Sequence, residues 1–221
     1  MQLELEHVWR TYQVGDEPVI ALRDASVCIR SGELVSVVGP SGSGKSTFLQ
    51  LIGLLDTPSA GTVRFDGRDV GALGDAERTR VRLESLGFVF QRFHLLQHLS
   101  ALDNVMLPME AAGARLEQRW DRAAALLESV GLGERLQFRP SQLSGGQRQR
   151  VAVARAVANA PSVILADEPT GELHTEDKAR VLELFQSLHH EGRTVIIVTH
   201  DPEVAAVAPR RVEIRDGMLR G

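Results

Sequence analysis

Eight residues, Gly39-Pro40-Ser41-Gly42-Ser43-Gly44-Lys45-Ser46, match the spacing G-x-x-x-x-G-K-[ST] between a strand-like run and a helical one. Glycines there let successive backbone N–H groups turn inward into a concave anion cradle. The helix that follows adds the positive end of its dipole. In such a loop, extending to Thr47, the Lys45 ammonium reaches the β- and γ-phosphates of a nucleotide and the Ser46 hydroxyl ligates Mg2+. Composition sharpens the signal: of 25 basic residues only Lys45 and Lys178 are lysines.

Two further segments carry chemistry. Val163-Ile164-Leu165-Ala166-Asp167-Glu168 is an apolar run ending in two carboxylates, and the ends of adjacent parallel strands form a ligand crevice. Asp167 is placed to hold Mg2+ through a water, and Glu168 to act as general base on water attacking a γ-phosphate. Such a strand end is weak evidence alone and strong evidence after a phosphate loop. Leu143-Ser144-Gly145-Gly146-Gln147 sets a serine and two glycines before a helical run, a second anion-binding helix N-terminus.

The elements needed to position these residues are legible. Alternation predicts strands at Gln2–Val8 and Val27–Arg30, and apolar runs predict buried strands at Leu34–Val38, Val163–Ala166 and Thr194–Val198. Helical patterns cover Lys45–Leu55, Arg78–Leu86, Leu116–Val130, Gln147–Ala158 and Glu176–His190. Thr62–Phe65 reads as a short strand, Asp201-Pro202 as a helix start, and Asp216-Gly217 as a hairpin turn. The alternation implies an α/β fold with a largely parallel sheet. The mostly helical stretch after Gln91 interrupts it like an inserted subdomain.

With 43% hydrophobic and 24% charged residues the composition is that of a globular protein, and a net charge of −4 argues against coating nucleic acid. One cysteine, Cys28, precludes an internal disulfide and reads as a small buried strand residue. No apolar run approaches the ~20 residues needed to cross a bilayer, so membrane work would need another protein's spanning segments. His94 and His98 stand four apart, but with no third ligand nearby they read as a solvated face.

The loop at Gly39–Thr47, the segment Leu143–Gln147 and the acidic strand, in this order, resemble the ATPases of ABC transporters over essentially the whole chain. The resemblance implies a P-loop NTPase (RecA-like) core, an N-terminal antiparallel β subdomain and an inserted α-helical subdomain. Residues 1–221 then form one domain, with the core at about 1–91 and 156–221 and the helical signature subdomain at about 92–155. It also implies that Tyr12 stacks on adenine, that Gln91 senses Mg2+ and couples to a membrane partner, and that His200 contacts the γ-phosphate. Two copies would pack head to tail, with Ser144, Gly145, Gly146 and Gln147 of one closing over the ATP held by Lys45 of the other.

One departure stands out. Where the family carries Leu-Asp after the acidic strand, the chain reads Glu172-Leu173-His174. The plain expectation is a tolerated exchange in which His174 hydrogen-bonds in place of aspartate. The sharper one is slower or pH-dependent hydrolysis.

Phe88–Leu96, Asp103-Asn104-Val105, Thr194–Pro202 and Val212–Gly217 resemble the macrolide-exporter (MacB) and lipoprotein-releasing (LolD) branch. That branch implies a permease with a large extracytoplasmic domain, and a place at the cytoplasmic face of the inner membrane. In the macrolide exporter the permease is fused after the ATPase. With the given sequence stopping at Gly221 the expectation is a separate permease, or else that the sequence is an excised domain. Phe93, Leu95, Leu96 and Leu99 would line the permease groove or pack in the core. A cell-division ATPase of similar size, signalling without transport, is the alternative. DNA-repair and SMC relatives fit poorly, because too few residues separate Lys45 from Ser144 for a long coiled coil.

Overall fold

A computed structural model describes residues 2–220. Its centre is formed by the apolar runs: β3 (Leu34–Val38), β7 (Val163–Asp167) and β8 (Thr194–Thr199). They pair in parallel with β6 (Leu86–Phe90) and β9 (Arg210–Arg215), and β10 (Met218–Arg220) adds an antiparallel edge, in the order β10-β9-β3-β8-β7-β6. Along β7, Val163 and Leu165 enter one hydrophobic cluster while Ile164 and Ala166 enter another. Ile196 and Val198 of β8 join the first, Val195 and Ile197 the second. Both faces are covered, which is why these strands show no polar alternation. The turn between β9 and β10 has positive φ at Asp216 and Gly217 (51° and 79°), as the predicted hairpin requires.

A second sheet, antiparallel in the order β2-β1-β4-β5, is built from β1 (Leu3–Val14), β2 (Glu17–Ile29), β4 (Ala60–Phe65) and β5 (Arg68–Asp69). β1 and β2 are longer than alternation predicts. Their pairing carries register shifts between Leu5 and Val8, Val8 and Arg10, and Arg10 and Thr11. Each bulge resets the inside–outside phase, so a period of two is lost beyond Val8. Cys28 lies in β2 but is only half-buried, a correction to the buried reading.

Helix α1 (Lys45–Ile52) buries Phe48, Leu49, Leu51 and Ile52 in the cluster shared by the two sheets. It stops short of the predicted Leu55, because Leu54 turns to φ 56°. α2 (Asp75–Ser85) precedes β6. α3 (Ala101–Ala111), α4 (Leu116–Ser129) and α5 (Gly145–Ala156) enclose a separate core that includes Leu95, Val105, Leu127 and Val151. Buried Asn104 secures the loop before α3: its side-chain oxygen accepts from Leu96 N at 2.8 Å and its amide donates to Ser100 O at 2.8 Å. α6 (Thr175–His190) and the short α7 (Pro202–Ala205), capped by Asp201, complete the chain.

Candidate functional site

Strand order decides the site. Along the order β3-β8-β7-β6, the segments leaving the C-terminal ends are Gly39–Lys45, His200, Asp167-Glu168 and Gln91. Groups dispersed over most of the chain thus line one crevice edge, where open parallel sheets bind ligands.

In the glycine loop, Lys45 is buried, and its ammonium donates to Gly39 O at 2.8 Å and Pro40 O at 2.9 Å. Ser43 Oγ is buried without a partner. Gly44 adopts φ 107°, and a Cβ there would overlap Ala21 O, so only glycine fits. Pro40, Ser41, Gly42 and Ser46 are exposed, with Gly39 and Thr47 half-buried. A cation held only by loop carbonyls, an unpartnered hydroxyl and a helix N-terminus suit an anionic phosphate.

Glu168 follows β7 at φ 45°, a left-handed conformation uncommon for a residue with a side chain. Its Oε2 accepts from Thr199 Oγ1 at 2.9 Å. Its Oε1 accepts from His200 N at 2.9 Å and pairs with His200 Nδ1 at 2.6 Å. The carboxylate and the histidine are therefore brought together, each occupied by the other. Burial pushes the Asp167 carboxyl above the usual carboxylate range, the negative charge of Glu168 adds to this, and Lys45 opposes it. That arrangement, with the exposed Ser46 hydroxyl opening the helix after the loop, suits a divalent cation, whose charge would offset the penalty on Asp167. Among the described residues no group of three or more His, Cys, Asp or Glu side chains is gathered for a metal. His94 and His98 are exposed on a loop, as expected.

Gln91 follows Phe90, which lies opposite Asp167 in the ladder. A Cβ at Gly171 would stand 3.0 Å from Gln91 Nε2, so the glutamine lies over the loop that follows Glu168. Tyr12 donates to Asp56 Oδ2 at 2.8 Å, and the Arg10 guanidinium sits 4.5 Å from its ring centre. A stacked base can use only the opposite ring face.

Ser144 and Gln147 form a reciprocal cap on α5: Ser144 Oγ accepts from Gln147 N at 3.2 Å, and Gln147 Oε1 accepts from Ser144 N at 2.9 Å. Among the described residues no hydrogen bond or ion pair joins Ser144–Gln147 to Gly39–Thr47. Gly146 is buried, and a Cβ there would overlap the Asp177 carboxyl from α6. Gly146→Ala would displace the flexible, half-buried Asp177 carboxyl rather than backbone. It is therefore expected to cost no more than about 1 kcal/mol, the low end for overpacking, and Asp177→Ala in the same chain should recover it in thermal unfolding. A double variant that unfolds as early as the single one would show that Asp177 is not what the glycine accommodates.

His174 occupies the cap position of α6 and makes no side-chain cap hydrogen bond. It does not stand in for an aspartate there, which corrects the plain expectation. Restoring a capping carboxylate with His174→Asp should stabilise by about 1 kcal/mol, roughly 2–4 °C in Tm. An unchanged or lower Tm would count against the missing cap.

Sequence reasoning missed Thr199, buried at the end of β8, and Gln149, whose amide reaches Phe90 O and Pro169 O. It also missed an apolar cavity of about 420 Å³ lined by Leu55, Leu83, Phe88, Phe90 and Pro108 with Arg155 at its edge. Of the expected groove residues, Leu95 belongs to the helical core, Phe93 and Leu99 are half-buried and Leu96 is exposed.

A family model described as ABC transporter matches residues 22–171. The macrolide export ATP-binding/permease protein MacB 1 of Yersinia pestis bv. Antiqua (strain Antiqua) is 51% identical over 217 residues, 98% of this chain and 33% of that protein. An uncharacterised ABC transporter ATP-binding protein of Thermotoga maritima is 51% identical, covering 99% of this chain and 94% of the relative. The chain thus spans about a third of the first curated relatives it matches and nearly all of others. A solved dimer of the ATP-binding cassette MJ0796 in a post-hydrolysis state, bound to ADP and Pi, superposes with a TM-score of 0.92 at 42% identity, covering 99% of this chain and 97% of that one. The chain belongs to the ABC transporter family, with the fold of an ATP-binding cassette.

Proposed function

We propose that two copies of this chain bind and hydrolyse Mg-ATP head to tail and drive a membrane permease, in export or release of a peptide, lipoprotein or macrolide-like substrate. The row of Lys45, His200, Glu168 and Gln91 along adjacent strand ends carries the hydrolytic part. Ser144–Gln147, a capped helix N-terminus unjoined to the phosphate loop of its own chain, is free to face a partner's nucleotide.

Bound Mg2+ supplies charge neutralisation at the β- and γ-phosphates. Lys45 would exchange the Gly39 and Pro40 carbonyls for phosphate oxygens, while Ser46 and Asp167 would hold the metal and Gln91 would monitor it. Glu168 leaves His200 Nδ1 and takes a proton from the attacking water. Thr199 keeps the carboxylate oriented, and the freed His200 turns to the γ-phosphate. Tyr12 receives the adenine on its open face.

Residues of about 92–155, with their own core, would move as one unit relative to the strands. Among the described residues no helix is long and apolar enough to cross a membrane, so spanning segments come from a permease on the same or another polypeptide. The apolar cavity around Phe88 and Pro108 is the docking place for its cytoplasmic helix, which would set the chain at the inner face of the membrane. The names of the curated relatives favour the export branch. Affinity purification of the chain from its native membranes should recover a permease with a large extracytoplasmic domain. A division-type partner, or no membrane partner, would overturn the transport assignment and leave the ATPase chemistry standing.

A further inference from the structure

β6 and β7 run in parallel up to the pair Phe90 and Asp167. Beyond it the two chains part: one continues as Gln91, the other turns through Glu168 at φ 45° into Pro169. Parting strands exhaust the ladder's donors, yet the carbonyls of half-buried Phe90 and buried Pro169 still need partners. Gln149 of α5 supplies them. It is fully buried, at 0% exposure, and its Nε2 donates to Pro169 O at 2.6 Å and to Phe90 O at 3.4 Å. Because both neighbours are carbonyls, the amide's orientation is dictated by the network. Its Oε1 is then left buried without a partner, an arrangement less stable than a fully satisfied one. A buried amide kept at that cost marks a place where two donors are required.

We infer that Gln149 is a positioning residue, tying the signature helix to the two backbone segments that carry Gln91 and Glu168. A shift of α5 is thereby delivered at once to the residue that faces the membrane partner's signal and to the catalytic carboxylate. One amide spans the helical unit and both strand ends, so the coupling has a physical path through two hydrogen bonds. The inference rests on Glu168 as the base and on Gln91 as the sensor.

The test is Gln149→Met, which keeps length and loses both donors. The kcat of the purified chain should fall about tenfold, the size expected when a hydrogen bond that orients a reacting group is lost. KM for ATP should stay within about twofold, and amide exchange at Gln91 and at Glu168–Gly171 should quicken. An unchanged kcat overturns the inference. So does a fall in kcat matched by a rise in KM and early thermal unfolding, which would mark a purely structural role. If the methionine variant does not fold, Gln149→Leu, smaller and without any donor, takes its place under the same criteria. Glu168→Gln assayed alongside separates the two failures. A wild-type rate there removes the base assignment, whereas a slow Glu168→Gln with an unaffected Gln149→Met removes only the positioning role.

Discussion

Replacing Glu168 by glutamine should slow ATP hydrolysis by roughly 10²–10⁴-fold, the usual contribution of a positioned general base, while nucleotide binding persists. The substitution is nearly isosteric. Its one amide oxygen can go on accepting from His200 N–H, while its NH2 faces Thr199 Oγ1, a hydroxyl that can accept as well as donate, so the turn at φ 45° can persist. What it removes is a carboxylate able to take a proton. The ATP-bound pair of chains, unable to complete hydrolysis, should accumulate. Size-exclusion chromatography with saturating Mg-ATP should show a dimer for Glu168→Gln and a shorter-lived one for the wild-type chain. A strictly monomeric Glu168→Gln would remove the head-to-tail model. A variant hydrolysing at the wild-type rate would remove Glu168 as the base.

Lys45→Ala should lose ATP affinity and hydrolysis together, with turnover down by at least about 10²-fold, since charge clamps on transferring phosphoryl groups are among the largest catalytic terms. In the structure the Lys45 ammonium is buried and held only by the Gly39 and Pro40 carbonyls, so it can be handed to phosphate oxygens without breaking an ion pair. Alanine deletes that charge and leaves both carbonyls without their donor. Equilibrium binding of ATP and phosphate release measure the two losses separately. If binding and turnover both survived, the loop would not be the phosphate site. Loss of turnover with full binding would confine Lys45 to the transition state.

Gln149 differs in kind from these two, because it touches no reacting atom and its effect should fall on kcat through Gln91 and Glu168. The Gly146 and Asp177 pair differs again. There the glycine's own-chain reason is close packing, independent of any phosphate it meets across a dimer.

How much was legible beforehand follows from how local each signal is. The glycine loop, the capped segment Ser144–Gln147 and the apolar strand ending in Asp167-Glu168 are contiguous stretches whose chemistry and backbone needs are written in neighbouring residues. The buried strands β3, β7 and β8 announced themselves for the same reason, as unbroken apolar runs. The full lengths of β1 and β2 were hidden, since bulges reset their alternation. Only the tertiary structure could show that Glu168 and His200 occupy each other, that Thr199 and Gln149 support the strand ends, and that the Asp177 carboxyl lies against Gly146. Those contacts join residues dozens of positions apart, and they depend on the strand order β3-β8-β7-β6, which no single segment encodes. The sequence by itself determined which groups could do chemistry, because motif chemistry is local. The fold decided which groups meet, because long-range packing sets their distances.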